Sequence, residues 1–234
     1  LLEALLAAAP AVDWFRILYA YPGAVSDRLI ELMATEPRLI PYLDMPLQHA
    51  HPQTLRRMRR PSNVTAVRRT LEKMRHAMPD LALRTTFIVG YPGETEDEFQ
   101  ALLDWIDEIR FDRVGVFPFS YEPGTTSESL GDPVPADVKD DRRQRVMERQ
   151  QQISLEIHQD LVGRTLPVLI EGCDSGLSIG RSPRDAPEID GLVIVEGEIP
   201  AGELVPVRVT GAMAYDLTGV VEHAPAQIVL GPGS

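Results

Sequence analysis

The chain has 234 residues, 44% of them hydrophobic, and its 35 acidic side chains outnumber 23 Lys and Arg to give a formal net charge of −12. That is apolar material for one large domain or two smaller ones, while the acidic excess argues against a protein whose main task is a non-specific grip on nucleic acid, since that grip comes from Lys and Arg neutralising phosphates. The lone cysteine, Cys173, excludes an internal disulfide framework and a multi-cysteine metal site and reads as a small buried hydrophobe.

In chain order, the opening "LLEALLAAAP" has no basic flank and so does not read as a signal peptide; no apolar run approaches the roughly 20 residues that span a bilayer, and the expected location is cytoplasmic. Strands are then predicted at 14–20 ("WFRILYA"), 39–45 ("LIPYLDM"), 83–89 ("LRTTFIV") and 113–119 ("RVGVFPF"). Between them, Val67, Leu71, Met74 and Met78 recur at helical spacing, as do Phe99, Leu102, Leu103, Ile106 and Ile109. The second helix opens on "TEDE", where Thr95 and Glu98 form a capping-box pattern. Strands alternating with helices predict a parallel sheet with right-handed crossovers, in which function gathers at the carboxyl ends of the strands.

Those ends carry "YPGA", "PLQH", "GYPGE" and "SYEPGT", tight turns that bring backbone close to whatever lies above the sheet. Arg16, Asp44 and Arg84 sit at comparable depth in three successive strands, and a buried charge is costly unless paired, so Asp44 is expected to be neutralised by one or both arginines. Strict alternation puts Asp44, Pro46 and Gln48 on one face, a polar interior that suits a barrel lumen; an edge strand with a surface aspartate is the alternative. The run Arg56, Arg57, Arg59 and Arg60 reads as a solvated helix face, with engagement of an acidic or phosphate partner as the alternative.

Residues 136–162 read as one long connecting helix with Val146, Ile153, Ile157 and Leu161 on an apolar stripe and Gly163 at its end. Beyond it come short alternating segments, "TLPVLIEGC", "LSIGRSP", "GLVIVEG" and "ELVPVRVTGA", the pattern of a small antiparallel barrel. From Gly163 onward there are four arginines (Arg164, Arg181, Arg184 and Arg208) against ten carboxylates, a net of 4 − 10 = −6 that disfavours RNA and suits a basic protein partner.

"WFRILYAYP", "YLDMPLQH", "MRRP", "LRTTFIVGYPGETEDEF", "FDRVGVF", "APEIDG" and "YDLTG" together resemble the carboxyl-terminal part of the RimO group of radical S-adenosylmethionine methylthiotransferases, over nearly the whole chain. The resemblance implies an α/β fold: the last four strands of a partial radical-SAM (β/α) barrel in residues 1–162, followed by an OB-like TRAM barrel in 163–234. It also implies a reaction, methylthiolation of the β-carbon of an aspartate in a basic small-subunit ribosomal protein. In that reaction a 4Fe-4S cluster cleaves S-adenosylmethionine to a 5'-deoxyadenosyl radical, a second 4Fe-4S cluster is associated with the inserted sulfur, and sulfur and electron donors take part. By the same resemblance Gln48 and His49 meet the ribose or methionine portion of the cofactor or line the substrate entrance, Ile88 and Val89 pack near adenine, Gly90 allows close approach, and backbone from Phe117 through Phe119 to Ser120 contacts the adenine edge.

The C-x-x-x-C-x-x-C loop that ligates the family's radical cluster has no counterpart here. The chain therefore reads as a fragment or a truncated reading frame of such an enzyme, with no catalytic or metal-ligating residue of its own to assign, inactive alone and unable to hold either cluster fully. A tRNA methylthiotransferase and a non-catalytic protein-binding module stay open as alternatives, although the charge makes direct nucleic-acid binding unexpected, and no membrane partner is expected.

Overall fold

A computed structural model of the chain describes residues 1–222, so the tail of the expected second domain, 223–234, lies outside the described residues. The chain divides into two compact units, Leu1–Ser154 and a second from Leu155 on, a division that falls ahead of the Gly163 boundary read from the sequence.

The first unit contains, in order, α1 (Leu2–Ala8), β1 (Phe15–Ile17), α2 (Asp27–Thr35), β2 (Leu39–Asp44), α3 (Pro52–Arg57), α4 (Val64–Ala77), β3 (Ala82–Val89), α5 (Glu96–Ile109), β4 (Arg113–Pro118) and most of α6 (Ala136–Gln159). The strands form one parallel sheet in the order β1-β2-β3-β4. Alternation in β3 shows how the sequence feeds the core: Leu83, Thr85, Phe87 and Val89 are buried, while Arg84, Thr86 and Ile88 on the other face are less so. Phe87 meets Phe111 edge to face at 5.9 Å, an arrangement that the ring quadrupoles favour. In α5 Phe99, Leu102, Ile106 and Ile109 of the predicted stripe are buried, Leu103 is only half-buried, and Trp105 is buried as well.

Three expectations are corrected. β1 spans three residues because the chain leaves strand geometry at Tyr19, whose φ is 69°. The apolar stripe is only part of the buried side of α6: Val146 and Ile153 are buried and Ile157 half-buried, but Lys139, Arg142, Gln150 and Ser154 are buried with them. They satisfy backbone acceptors that no secondary structure serves, as where Gln150 Nε2 donates to the Phe111 carbonyl at 2.7 Å and Ser154 Oγ to that of Asp112 at 2.9 Å. Cys173 is exposed, because it lies next to the hairpin tip at Ser175 and Gly176, past the barrel core.

The second unit is a closed barrel of β5 (Thr165–Asp174), β6 (Leu177–Arg181), β7 (Val193–Glu196), β8 (Leu204–Ala212) and β9 (Leu217–Val221), in the order β5-β6-β7-β9-β8. All pairs are antiparallel except β7 with β9. Leu166, Val168, Ile170, Val193, Val195, Val207, Val209 and Leu217 fill it, together with Leu161 from the turn ahead of β5, and along β5, β7 and β8 the buried residues alternate with more exposed neighbours.

Candidate functional site

At the carboxyl ends of β2, β3 and β4 lies an open cleft of about 360 Å³, lined by Gln48, Met58, Arg60, Ile88, Tyr91, Phe117, Pro118, Phe119, Ser120, Thr126 and Ser127. The register explains the convergence. Ile88 pairs with Phe117, Gln48 bridges Phe87 in parallel, and its backbone N–H and carbonyl bond Thr86 and Ile88 at 2.9 and 2.8 Å. Gln48 leaves this short ladder with φ at 72°, and Gly90 turns β3 away with φ at 71°. Phe117 is 59% exposed, a large aromatic face held open on the rim. Phe119 packs inward, edge to face on Tyr91 at 5.1 Å.

Of the residues predicted to meet a cofactor, the structure thus brings together Gln48, Ile88, Phe117 and Phe119. Val89 is fully buried, and Gly90 faces α6: a Cβ there would stand 2.4 Å from Cγ of Lys139. The ammonium of that lysine donates to the Phe119 carbonyl at 2.9 Å, so one buried side chain ties the ends of β3 and β4 together. His49 is also buried. Its Nδ1 accepts the His51 N–H at 2.9 Å, which leaves Nε2 as the protonated nitrogen, 3.6 Å from Glu94 Oε1. Arg142 reaches the other Glu94 oxygen at 3.7 Å, and Glu94 Oε2 accepts the Tyr91 N–H at 3.0 Å. The hydrogen bond to His51 thus holds the His49 ring, while its Nε2 and Glu94 Oε1 face each other without a hydrogen bond.

Beside the cleft the arginine run separates into roles. Arg56 and Arg59 are exposed, Arg60 lines the cleft, and Arg57 is bound to Glu98, a correction to the solvated face read from the sequence. Burial pushes the Glu98 carboxyl up, but the Arg57 hydrogen bond, the Thr95 N–H, the Arg57 charge and the Thr54 hydroxyl together hold it below its ordinary 4.5. Tyr91 shifts upward through burial, only partly offset by the nearby Arg57 and Arg59 charges.

Deeper in the sheet, Arg84 Nη1 donates to Asp44 Oδ2 at 2.8 Å, and the two residues are opposite each other in the register. Arg16 stacks its guanidinium over the Tyr42 ring at 4.2 Å. The missed site residues, Met58, Arg60, Tyr91, Thr126 and Ser127, come from turns and loops whose return over the sheet no periodicity encodes.

A four-iron cluster needs several thiolates, and the only cysteine is Cys173 on β5, so the residues present do not fit one. Among the described residues no group of three or more His, Cys, Asp or Glu is placed to hold a metal ion. The cleft's chemistry does fit an adenosyl group: an apolar and aromatic wall, with an amide and a hydroxyl beside it.

Residues 1–106 match the Radical SAM superfamily and residues 162–221 the TRAM domain. The chain is 54% identical, over 94% of its length, to the ribosomal protein uS12 methylthiotransferase RimO of Chloroflexus aurantiacus, of which it covers 49%. It is 51% identical over 97% of its length to that of Roseiflexus sp., again covering 49%. The first part of the chain is thus similar to radical SAM proteins and the second to TRAM domains. Over the residues matched, about half are identical to those of the RimO proteins, and the chain spans about half the length of the curated relatives it matches.

Proposed function

We propose that the chain is the carboxyl-terminal part of a cytoplasmic enzyme that methylthiolates the β-carbon of an aspartate in ribosomal protein uS12. The observation that carries this reading is the identity of about half the residues to RimO proteins across both units, not in one domain alone. S-adenosylmethionine supplies the methyl group when bound. This chain's contribution is to hold it: Ile88 and Phe117 offer an apolar wall for the purine, Gln48 and Ser120 offer polar partners, and Arg60 offers a positive charge suited to a carboxylate. Both 4Fe-4S clusters would be ligated by residues outside this sequence, and sulfur and electron donors would act there. The acidic balance supports a basic protein substrate over tRNA.

The test joins this chain to the remaining half of the Chloroflexus relative, reconstitutes the product anaerobically and follows uS12 and bulk tRNA by mass spectrometry. One methylthio group on a uS12 aspartate is expected. Modification of tRNA with uS12 untouched would overturn the assignment.

A further inference from the structure

The barrel of the second unit is closed, so it offers a partner no free backbone edge, and whatever it recognises must be read by side chains on its outer wall. Apolar side chains reach that wall in more than one place, Leu204 of β8 among them, and on β6 they are set between two exposed carboxylates. Ser178 and Gly180 point into the core, which turns Leu177 and Ile179 outward, 46% and 43% exposed. Ile179 stands opposite Ile194 of β7, itself half-buried, and on its other side opposite Gly172 of β5, just past a bulge. Since Gly172 has no side chain, the flank of Ile179 borders a shallow notch. Leu177 lies between Asp174 and Glu196, and both carboxylates are exposed. The basic group of these three strands, Arg181, has its Nε on Glu171 at 2.7 Å, which removes a charge that would repel a cationic partner.

An apolar centre inside a rim of one charge is the anatomy of a protein docking surface. We propose that the outer face of β5, β6 and β7 is where the second unit grips its partner, a segment of a basic protein that seats an apolar side chain against Ile179 with Lys or Arg reaching Asp174 and Glu196. The proposal rests on the reading that uS12 is the substrate, and it assigns this recognition to the second unit by itself. The apolar centre sets residence time and the acidic rim sets encounter rate and salt dependence.

The experiment uses the whole 234-residue chain, purified uS12 as probe and tRNA as competitor, with kinetics read at several salt concentrations. Leu177→Ser with Ile179→Ser, both outward-facing, is expected to weaken uS12 binding about tenfold or more, mainly in dissociation, with an unchanged melting temperature. Glu196→Lys is expected to lower the association rate and flatten its salt dependence, and Arg208→Ala, on another strand, to change neither. Hydrogen exchange should slow at 177–181 and 193–196 in the complex. If uS12 binds but neither variant matters and the protection falls elsewhere, this face is not the docking site, while the substrate reading stands. If the chain does not bind uS12, both fall.

Discussion

Gln48 and Tyr19 hold φ values of 72° and 69°, a backbone shape that costs a residue bearing a Cβ about 1–2 kcal/mol. Glycine would relieve that cost, less about 0.5–1 kcal/mol for its greater freedom in the unfolded chain. Gln48→Gly is therefore expected to leave the melting temperature unchanged or slightly higher while weakening S-adenosylmethionine binding in calorimetry; a clear loss of stability would show that the side chain is kept for packing. Asp44 is a different case, with its carboxylate 2.8 Å from Arg84 and the residue 7% exposed. Asp44→Ala should cost about 2–3 kcal/mol in urea denaturation, because it strips a half-buried guanidinium of its carboxylate; a change within about 0.5 kcal/mol would mean that water replaces it freely. The pairing of Asp44 with Arg84 was legible, since equal depth in adjacent parallel strands implies register. The Glu98–Arg57 pair was not, because both partners lie on helices, where no strand register relates them, and the capping box already accounted for Glu98.

At the scale of an element, the first turn of α5 joins two jobs. Thr95 caps Glu98 N–H, and the Glu98 carboxylate returns to Thr95 N–H at 3.1 Å while also holding Arg57 and Thr54 of α3. Thr95→Ala should cost about 1 kcal/mol. Because the folded Glu98 pKa lies below the unfolded 4.5, its contribution is present above pH 4.5 and is lost as pH falls through the folded value. Acid titration followed by circular dichroism should show the wild type losing more stability than Glu98→Gln below pH 4.5; parallel curves would remove Glu98 from the account. The apolar periods revealed α4 and α5, and the Thr95–Glu98 pattern marked where α5 begins. β9 was not read as a strand, since Gly219 in its centre and a length of five residues give little alternation to detect. α6 was legible only in part: Val146 and Ile153 are buried as its period implies, but Gln150 and Ser154 are inward for a reason outside the helix, the unserved carbonyls of Phe111 and Asp112.

For the whole molecule, the two-part architecture was legible because the period of hydrophobicity changes after α6, whereas the cleft, assembled from turns, was only half so. With one cysteine, the 234-residue chain after anaerobic reconstitution should retain no stoichiometric iron and release no 5'-deoxyadenosine from S-adenosylmethionine; a bound cluster by absorption spectroscopy would contradict the ligand argument. The sheet of the first unit and the barrel of the second also differ in how they end. Every barrel strand has two neighbours, whereas β1 and β4 each pair on one side only among the described strands. β1 is three residues long with Arg16 at its middle, too short and too charged to template much. β4 runs for six residues with its exposed Phe117 near the end, and only its final Pro118 lacks a donor. Colloidal behaviour should follow from that asymmetry: light scattering of the concentrated chain is expected to show reversible self-association that a Val116→Pro substitution on β4 suppresses, while the same change made in the barrel would unfold it instead.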